Sequence, residues 1–81
     1  MTAGKRIKAF RQLRGWSLDE MARRTKVQRM TLWRVENDVQ QSTDNVTQSV
    51  AKALGLSMPE FWSGYLSTPA EGDEKGKKGV G

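Results

Sequence analysis

Apolar residues in this chain recur at helical spacing in five short runs, and polar punctuation bounds each of them. Ala3, Ile7, Phe10 and the stem of Arg14 share one face of a first segment, which Gly15 ends. In the stretch WSLDEM, Ser17 and Glu20 have capping-box spacing and Trp16 and Met21 have hydrophobic-staple spacing, so a second helix starts there. It is short, because Val27 must turn inward, and Ala22 offers a small side chain over which another helix can approach. A third segment covers about residues 28–37. A fourth starts near Thr43 or Asp44 and carries Val46, Val50, Ala53 and Leu54 on one stripe, with Gly55 in C-cap position. Ser57 and Glu60 make a second capping box for a fifth helix, with Pro59 tolerated in its first turn. No segment alternates as a strand does. The predicted class is all-α, a compact five-helix domain within residues 1–66. Its expected core includes Ile7, Phe10, Met21, Ala22, Val27, Leu32, Val35, Val50 and Leu54.

The third segment does not follow the usual division of faces. Winding residues 29–37 at ~100° per residue brings Leu32 and Val35 together, with Thr31 beside them and Val27 leading into the same side. Arg29, Met30, Trp33, Arg34 and Asn37 fill a separate arc of about 140°. The core stripe is thus complete without Met30 and Trp33, which share their face with the arginines. Such a surface is costly in water unless something covers it. Duplex DNA is one such partner, because guanidinium groups reach guanine edges or phosphates and apolar groups pack on thymine methyls and sugars. The alternative is that Trp33 folds back onto the fourth helix or a neighbouring subunit.

Charge sharpens this picture. Residues 1–34 hold ten Lys/Arg against Asp19 and Glu20, whereas residues 35–66 hold Lys52 against Glu36, Asp38, Asp44 and Glu60. A basic half favours an anionic partner, either nucleic acid or a membrane surface. The segment along Phe61, Trp62, Tyr65 and Leu66 lacks lysine and arginine, which speaks against a membrane-surface helix. No apolar run approaches the ~20 residues of a membrane span. The N-terminus has no signal-peptide core, so a cytoplasmic location is expected. With no cysteine and no histidine, disulfides, thiol and imidazole catalysis and zinc sites built on those ligands are excluded. Residues 67–81 contain four glycines and six charges and almost nothing to bury, so a flexible tail is expected there.

Residues 7–38, IKAFRQLRGWSLDEMARRTKVQRMTLWRVEND, resemble the lambda-repressor/Cro-like helix-turn-helix family, also called XRE-like, and the likeness continues loosely through AKALGLSMPEF. The pattern is carried by Ile7 and Arg11, by Ser17, Glu20, Met21 and Ala22, by Val27, and by Leu32, Val35 and Glu36. The resemblance implies that the second and third helices form the helix-turn-helix, with the third in the major groove. Arg29, Met30, Trp33 and Arg34 then stand where the family contacts bases and backbone, with Gln28 at the helix start and Asn37 at its end. Arg11 and Glu36 match a structural charged pair tying the first helix to the end of the third. Three departures are visible. Lys26 replaces a frequent turn glycine, and Leu18 stands where many members carry a glutamine that reaches phosphate. Asp38-Val39-Gln40-Gln41-Ser42 replaces a run of glycine, basic residues and proline. Gln40, Gln41 and Thr43 could still donate neutral hydrogen bonds to phosphate.

The expected function is sequence-specific double-stranded DNA binding that regulates transcription, by repression through promoter occupancy. The family resemblance implies a homodimer on an inverted repeat, and Trp62, Tyr65 and Leu66 offer the apolar surface for its interface. Such a protein would associate with the nucleoid when bound and needs no cofactor or metal. The residues fit a phage-type repressor, a restriction controller or a DNA-binding antitoxin of a toxin–antitoxin pair equally well. A second class is a helical protein-interaction module with Trp33 and Trp62 as anchors. An enzyme is not expected, because no paired carboxylates, phosphate-binding glycine loop or nucleophile–base set is present.

Overall fold

Capping chemistry divides the chain. The computed structural model describes residues 2–63. Within them lie α1 (Ala3–Arg14), α2 (Leu18–Thr25), α3 (Arg29–Glu36), α4 (Asp44–Leu54) and α5 (Met58–Phe61), and no strand. The hydroxyls of Thr2, Ser17, Thr43 and Ser57 accept first-turn N–H groups of α1, α2, α4 and α5. The Ser57–Glu60 box is reciprocal, with Glu60 Oε1 accepting from the Ser57 N–H at 2.7 Å. The Ser17–Glu20 box is only half made. Ser17 accepts from the Glu20 N–H at 3.0 Å, but the Glu20 carboxylate is drawn to Arg23 and Arg24 one turn on. Two adjacent guanidinium groups outcompete a neutral N–H for a carboxylate.

Four helices end on a left-handed residue: glycine at Gly15 and Gly55, but Lys26 (φ 64°) and Asp38 (φ 59°) elsewhere. The strain of a non-glycine residue there is about 1 kcal/mol. Asp38 closes α3 in a double ring, its N–H donating to the Val35 carbonyl at 3.2 Å while the Val39 N–H donates to Arg34 at 2.8 Å. Its carboxylate then accepts from the Thr2 hydroxyl at 3.1 Å and pairs with Lys5 at 3.2 Å, tying the end of α3 to the start of α1.

The core joins Ile7 and Phe10 of α1, Met21 of α2, Leu32 and Val35 of α3, Val50, Ala51 and Leu54 of α4, and Phe61 of α5. Trp16, Ala22 and Val27 pack against this cluster from its edge, so Ala22 and Val27 are half-buried rather than fully inside. The inward stripe of α4 keeps the predicted Val50 and Leu54, with Thr47 and Ala51 buried in place of Val46 and Ala53, and Val46 packs on the edge of the core. Thr47 can turn inward because its hydroxyl is satisfied, donating to the Thr43 carbonyl at 2.9 Å and lying 2.7 Å from the Ser42 hydroxyl. Phe61 stacks at a tilt on Phe10, 5.6 Å between centroids, and so docks α5 on α1. Gly4 is buried where α1 meets the end of α3, and a Cβ there would lie 1.9 Å from the Val35 carbonyl oxygen.

α1 packs on α3 and α4, α2 on the same pair, and α5 on α4. The buried Arg6 of α1 ties that helix to α5 and the residues after it, donating from Nε to the Phe61 carbonyl at 2.7 Å and from Nη2 to that of Ser63. Among the described residues no helix is long and apolar enough to cross a membrane. α5 ends at Phe61 with Trp62 as its C-cap, so Trp62 does not lie along the longer fifth helix expected from the sequence. Tyr65 and Leu66, and the expected tail over residues 67–81, lie outside the described residues.

Candidate nucleic-acid interface

The geometry of the interface begins in the turn before α3. Lys26, Val27 and Gln28 join α2 to α3, and the left-handed Lys26 lets its N–H return to the Ala22 carbonyl at 2.9 Å. Thr25 is buried, donates to the Met21 carbonyl at 2.8 Å and accepts from the Val27 N–H at 3.2 Å. That hydroxyl sets the angle between the two helices by satisfying both sides of the bend. Val27 then wedges against the core, and Leu32 and Val35 are essentially fully buried. With these two inward, the opposite arc of α3 has to face water.

Arg29, Met30, Trp33, Arg34 and Asn37 are all exposed, as is Gln28 at the N-cap. Met30 is 51% and Trp33 44% accessible, so Trp33 is not folded under α4. Gln28 makes no capping hydrogen bond, which leaves its amide available. Arg34 has no side-chain partner among the described residues. Arg29 does have one, since its Nε lies 2.8 Å from Asp19 Oδ1 on α2. Asn37 is turned back, donating to the Trp33 carbonyl at 2.8 Å as a C-terminal cap. Beyond α3, Gln40 is exposed in the loop and Thr43 is exposed at the start of α4, its hydroxyl already accepting from the Val46 N–H at 3.2 Å. The outward set is therefore Gln28, Arg29, Met30, Trp33 and Arg34, with Gln40 and Thr43 on the next segment.

Arg11 lies outside this set. Its Nε and Nη2 meet the two oxygens of the buried Glu36 at 2.8 and 3.0 Å, and its Nη1 donates to the Trp16 carbonyl at 2.8 Å. This bidentate pair holds α1, the α1–α2 turn and the end of α3 in one network. Behind α3, Val39 and Trp62 are exposed at the rim of a groove of about 490 Å³, with Met58 and Ala3 on its walls. Trp62 stands edge-on to Phe61 at 5.0 Å. Tyr65 and Leu66, the other expected interface residues, lie outside the described residues.

The profile of a family described as Helix-turn-helix matches residues 7–61, more than half of the chain. The chain belongs to the lambda-repressor/Cro-like (XRE-like) helix-turn-helix family. No curated protein and no solved structure shows a significant match to it. Family membership makes the protein a DNA-binding regulator, and the family's domain is a regulatory one rather than typically an enzyme. In helix-turn-helix terms α2 and α3 are the motif, and α3 is the helix whose outward arc carries the two arginines.

Sequence reasoning missed three features here. Asp19 reads as an ordinary first-turn acid, and nothing local signals its pairing with a residue ten positions on. Arg6 and Arg14 count in the sequence as members of the basic half, with no partner assigned to either guanidinium group. Yet Arg6 is buried and Arg14 donates to the Leu54 carbonyl at 2.8 Å. A weak signal existed for Arg14, whose position on the apolar face of α1 already assigned its stem inward.

Proposed function

We propose that the protein is a sequence-specific double-stranded DNA binder that represses transcription by occupying a promoter, with α3 in the major groove. The observation that carries this reading is the outward arc of α3, where Met30 and Trp33 stand beside Arg29 and Arg34 while Leu32 and Val35 fill the core. Arg29 and Arg34 would engage guanine edges or phosphates, and Met30 and Trp33 thymine methyls and sugars. Gln28, Gln40 and Thr43 would donate to backbone oxygens and fix the register, and Asn37 would act chiefly by closing α3. Arg11 and Glu36 serve stability.

A module of this size buries too little surface for tight specific binding on its own, so the working form is a homodimer on an inverted repeat, with half-sites about 34 Å apart. Trp62 with Tyr65 and Leu66 supplies the interface, and the protein acts in the cytoplasm, nucleoid-associated when bound. The test is binding of the purified chain to the promoter region of its own gene, with scrambled duplex as competitor. The promoter is expected to win and its affinity to fall steeply with salt through counterion release. Equal competition by scrambled DNA would remove the specific function. A second reading, a protein-interaction module or the DNA-binding antitoxin of a toxin pair, is favoured by the exposed Val39 and Trp62 around one groove. A pure interaction module would show no salt-sensitive DNA binding.

A further inference from the structure

Asp19 stands in the first turn of α2, where its charge already suits the helix dipole. Its carboxylate nevertheless reaches across the helix-turn-helix to Arg29, with Oδ1 2.8 Å from Nε. The two side chains are 82% and 58% exposed, and pairs so open to water contribute little to folding. On charge alone an acid is the wrong residue beside a surface that docks on a polyanion. Glu20, the next acid along, is held within its own helix by Arg23 and Arg24. Asp19 instead points its charge at the first residue of the base-facing helix.

The chemistry of the guanidinium gives this pair a use. Its planar fork offers N–H groups along a side edge that includes Nε and at an end formed by the two Nη atoms. A carboxylate at Nε leaves the Nη end with N–H groups for a second acceptor, and it restricts a side chain that would otherwise sample many rotamers. The O6 and N7 of guanine form an acceptor pair suited to that end. A phosphate brought to the same place would meet the Asp19 charge.

We propose that Asp19 is a positioning residue for base readout. It presents the Nη end of Arg29 to a guanine edge and disfavours the alternative in which Arg29 clamps a phosphate. The proposal rests on the reading of α3 as the base-contacting helix. Discrimination gains from both sides, since a held Arg29 loses less freedom on binding and Asp19 repels the non-cognate backbone contact.

The test is selection from a random duplex DNA library with the full chain, followed by titration of the selected and scrambled duplexes across a salt series. Wild type, Arg29→Ala, Asp19→Asn and Asp19→Ala are compared. Wild type is expected to select guanine at a position where Arg29→Ala has no preference. Asp19→Asn is expected to lose about tenfold in discrimination at that same position, keeping its other preferences. Its affinity for scrambled duplex should rise, and its slope of log K against log salt should steepen by about 0.9, one phosphate contact. Its melting temperature should match wild type, because the pair is exposed. If Asp19→Asn and Asp19→Ala retain the wild-type guanine preference, or change affinity for all duplexes alike, the positioning role is overturned. It is also overturned if Arg29→Ala leaves every base preference intact. A wild type that selects no sequence removes the DNA reading itself, and the positioning role with it.

Discussion

The arginines of α1 and those of α3 are the same residue put to opposite uses. Arg6, Arg11 and Arg14 point their guanidinium groups into the fold. Arg6 reaches the carbonyls of Phe61 and Ser63, Arg11 the Glu36 carboxylate and the Trp16 carbonyl, and Arg14 the Leu54 carbonyl. Arg14 is drawn in far enough that desolvation, and then the nearby Arg24, lowers its pKa, and its Nε is buried without a hydrogen-bond partner. Arg29 and Arg34 point outward from a helix whose inward stripe is already filled by Leu32 and Val35. The difference lies in what each helix face meets. α1 lies against the ends of other helices, which offer unpaired carbonyls, whereas the outer arc of α3 meets solvent and, at Arg29 alone, the exposed Asp19 carboxylate of α2. Charge counted along a sequence is therefore a poor footprint of a binding surface, because part of it is consumed as internal ties.

Breaking one member of each set should separate the two uses. The largest effect is expected from Glu36→Ala, which leaves Arg11 uncompensated beside the core and should cost about 3–5 kcal/mol of stability. Urea unfolding measures it. A variant that melts as wild type does but no longer binds DNA would place the pair in recognition instead. Arg34→Ala should do the reverse, losing about 1–3 kcal/mol of operator binding with an unchanged melting temperature. A loss of stability there, with binding intact, would break the comparison from the other side.

Smaller changes sharpen it. Lys26→Gly relieves the left-handed turn between the motif helices and should stabilise the fold by about 1 kcal/mol, read from the denaturant midpoint. An equal loss of stability would mean that the Lys26 side chain itself holds the turn. The smallest effect concerns Asp38, whose carboxyl is held below its ordinary 3.8 by Lys5 and the Thr2 hydroxyl. A depressed folded pKa adds stability above the unfolded value and loses it as pH falls through the folded one. Stability should therefore decline in acid below the ordinary aspartate range, and Asp38→Asn should flatten that part of the curve. Glu20, lowered by Arg23 and Arg24, acts with the same sign, so Asp38→Asn removes only part of the slope.

Local rules made most of the architecture legible. Hydroxyls at Thr43 and Ser57, glycines at Gly15 and Gly55 and the spacing of Ile7, Phe10, Leu32 and Val35 act within a turn or two of chain, and the helices lie where those signals stand. The exposed arc of α3 was legible for the same reason, since residues 29–37 reveal two faces as soon as they are wound. Family membership followed from the same residues.

What the sequence by itself determined, then, was the class, where the helices start and the outward placement of Arg29, Met30, Trp33 and Arg34. Only the tertiary structure decided that Thr47 joined Val50 and Leu54 on the inward side of α4, because Thr47 could be buried only with Ser42 and Thr43 at hand to satisfy its hydroxyl. It decided that Gly4 must be glycine, since the constraint is the Val35 carbonyl of another helix. It also decided which cations became internal ties and which acid met Arg29. Helical periodicity and capping act between neighbours in the chain, whereas the partners of Arg6, Arg14 and Asp19 are chosen by how helices pack.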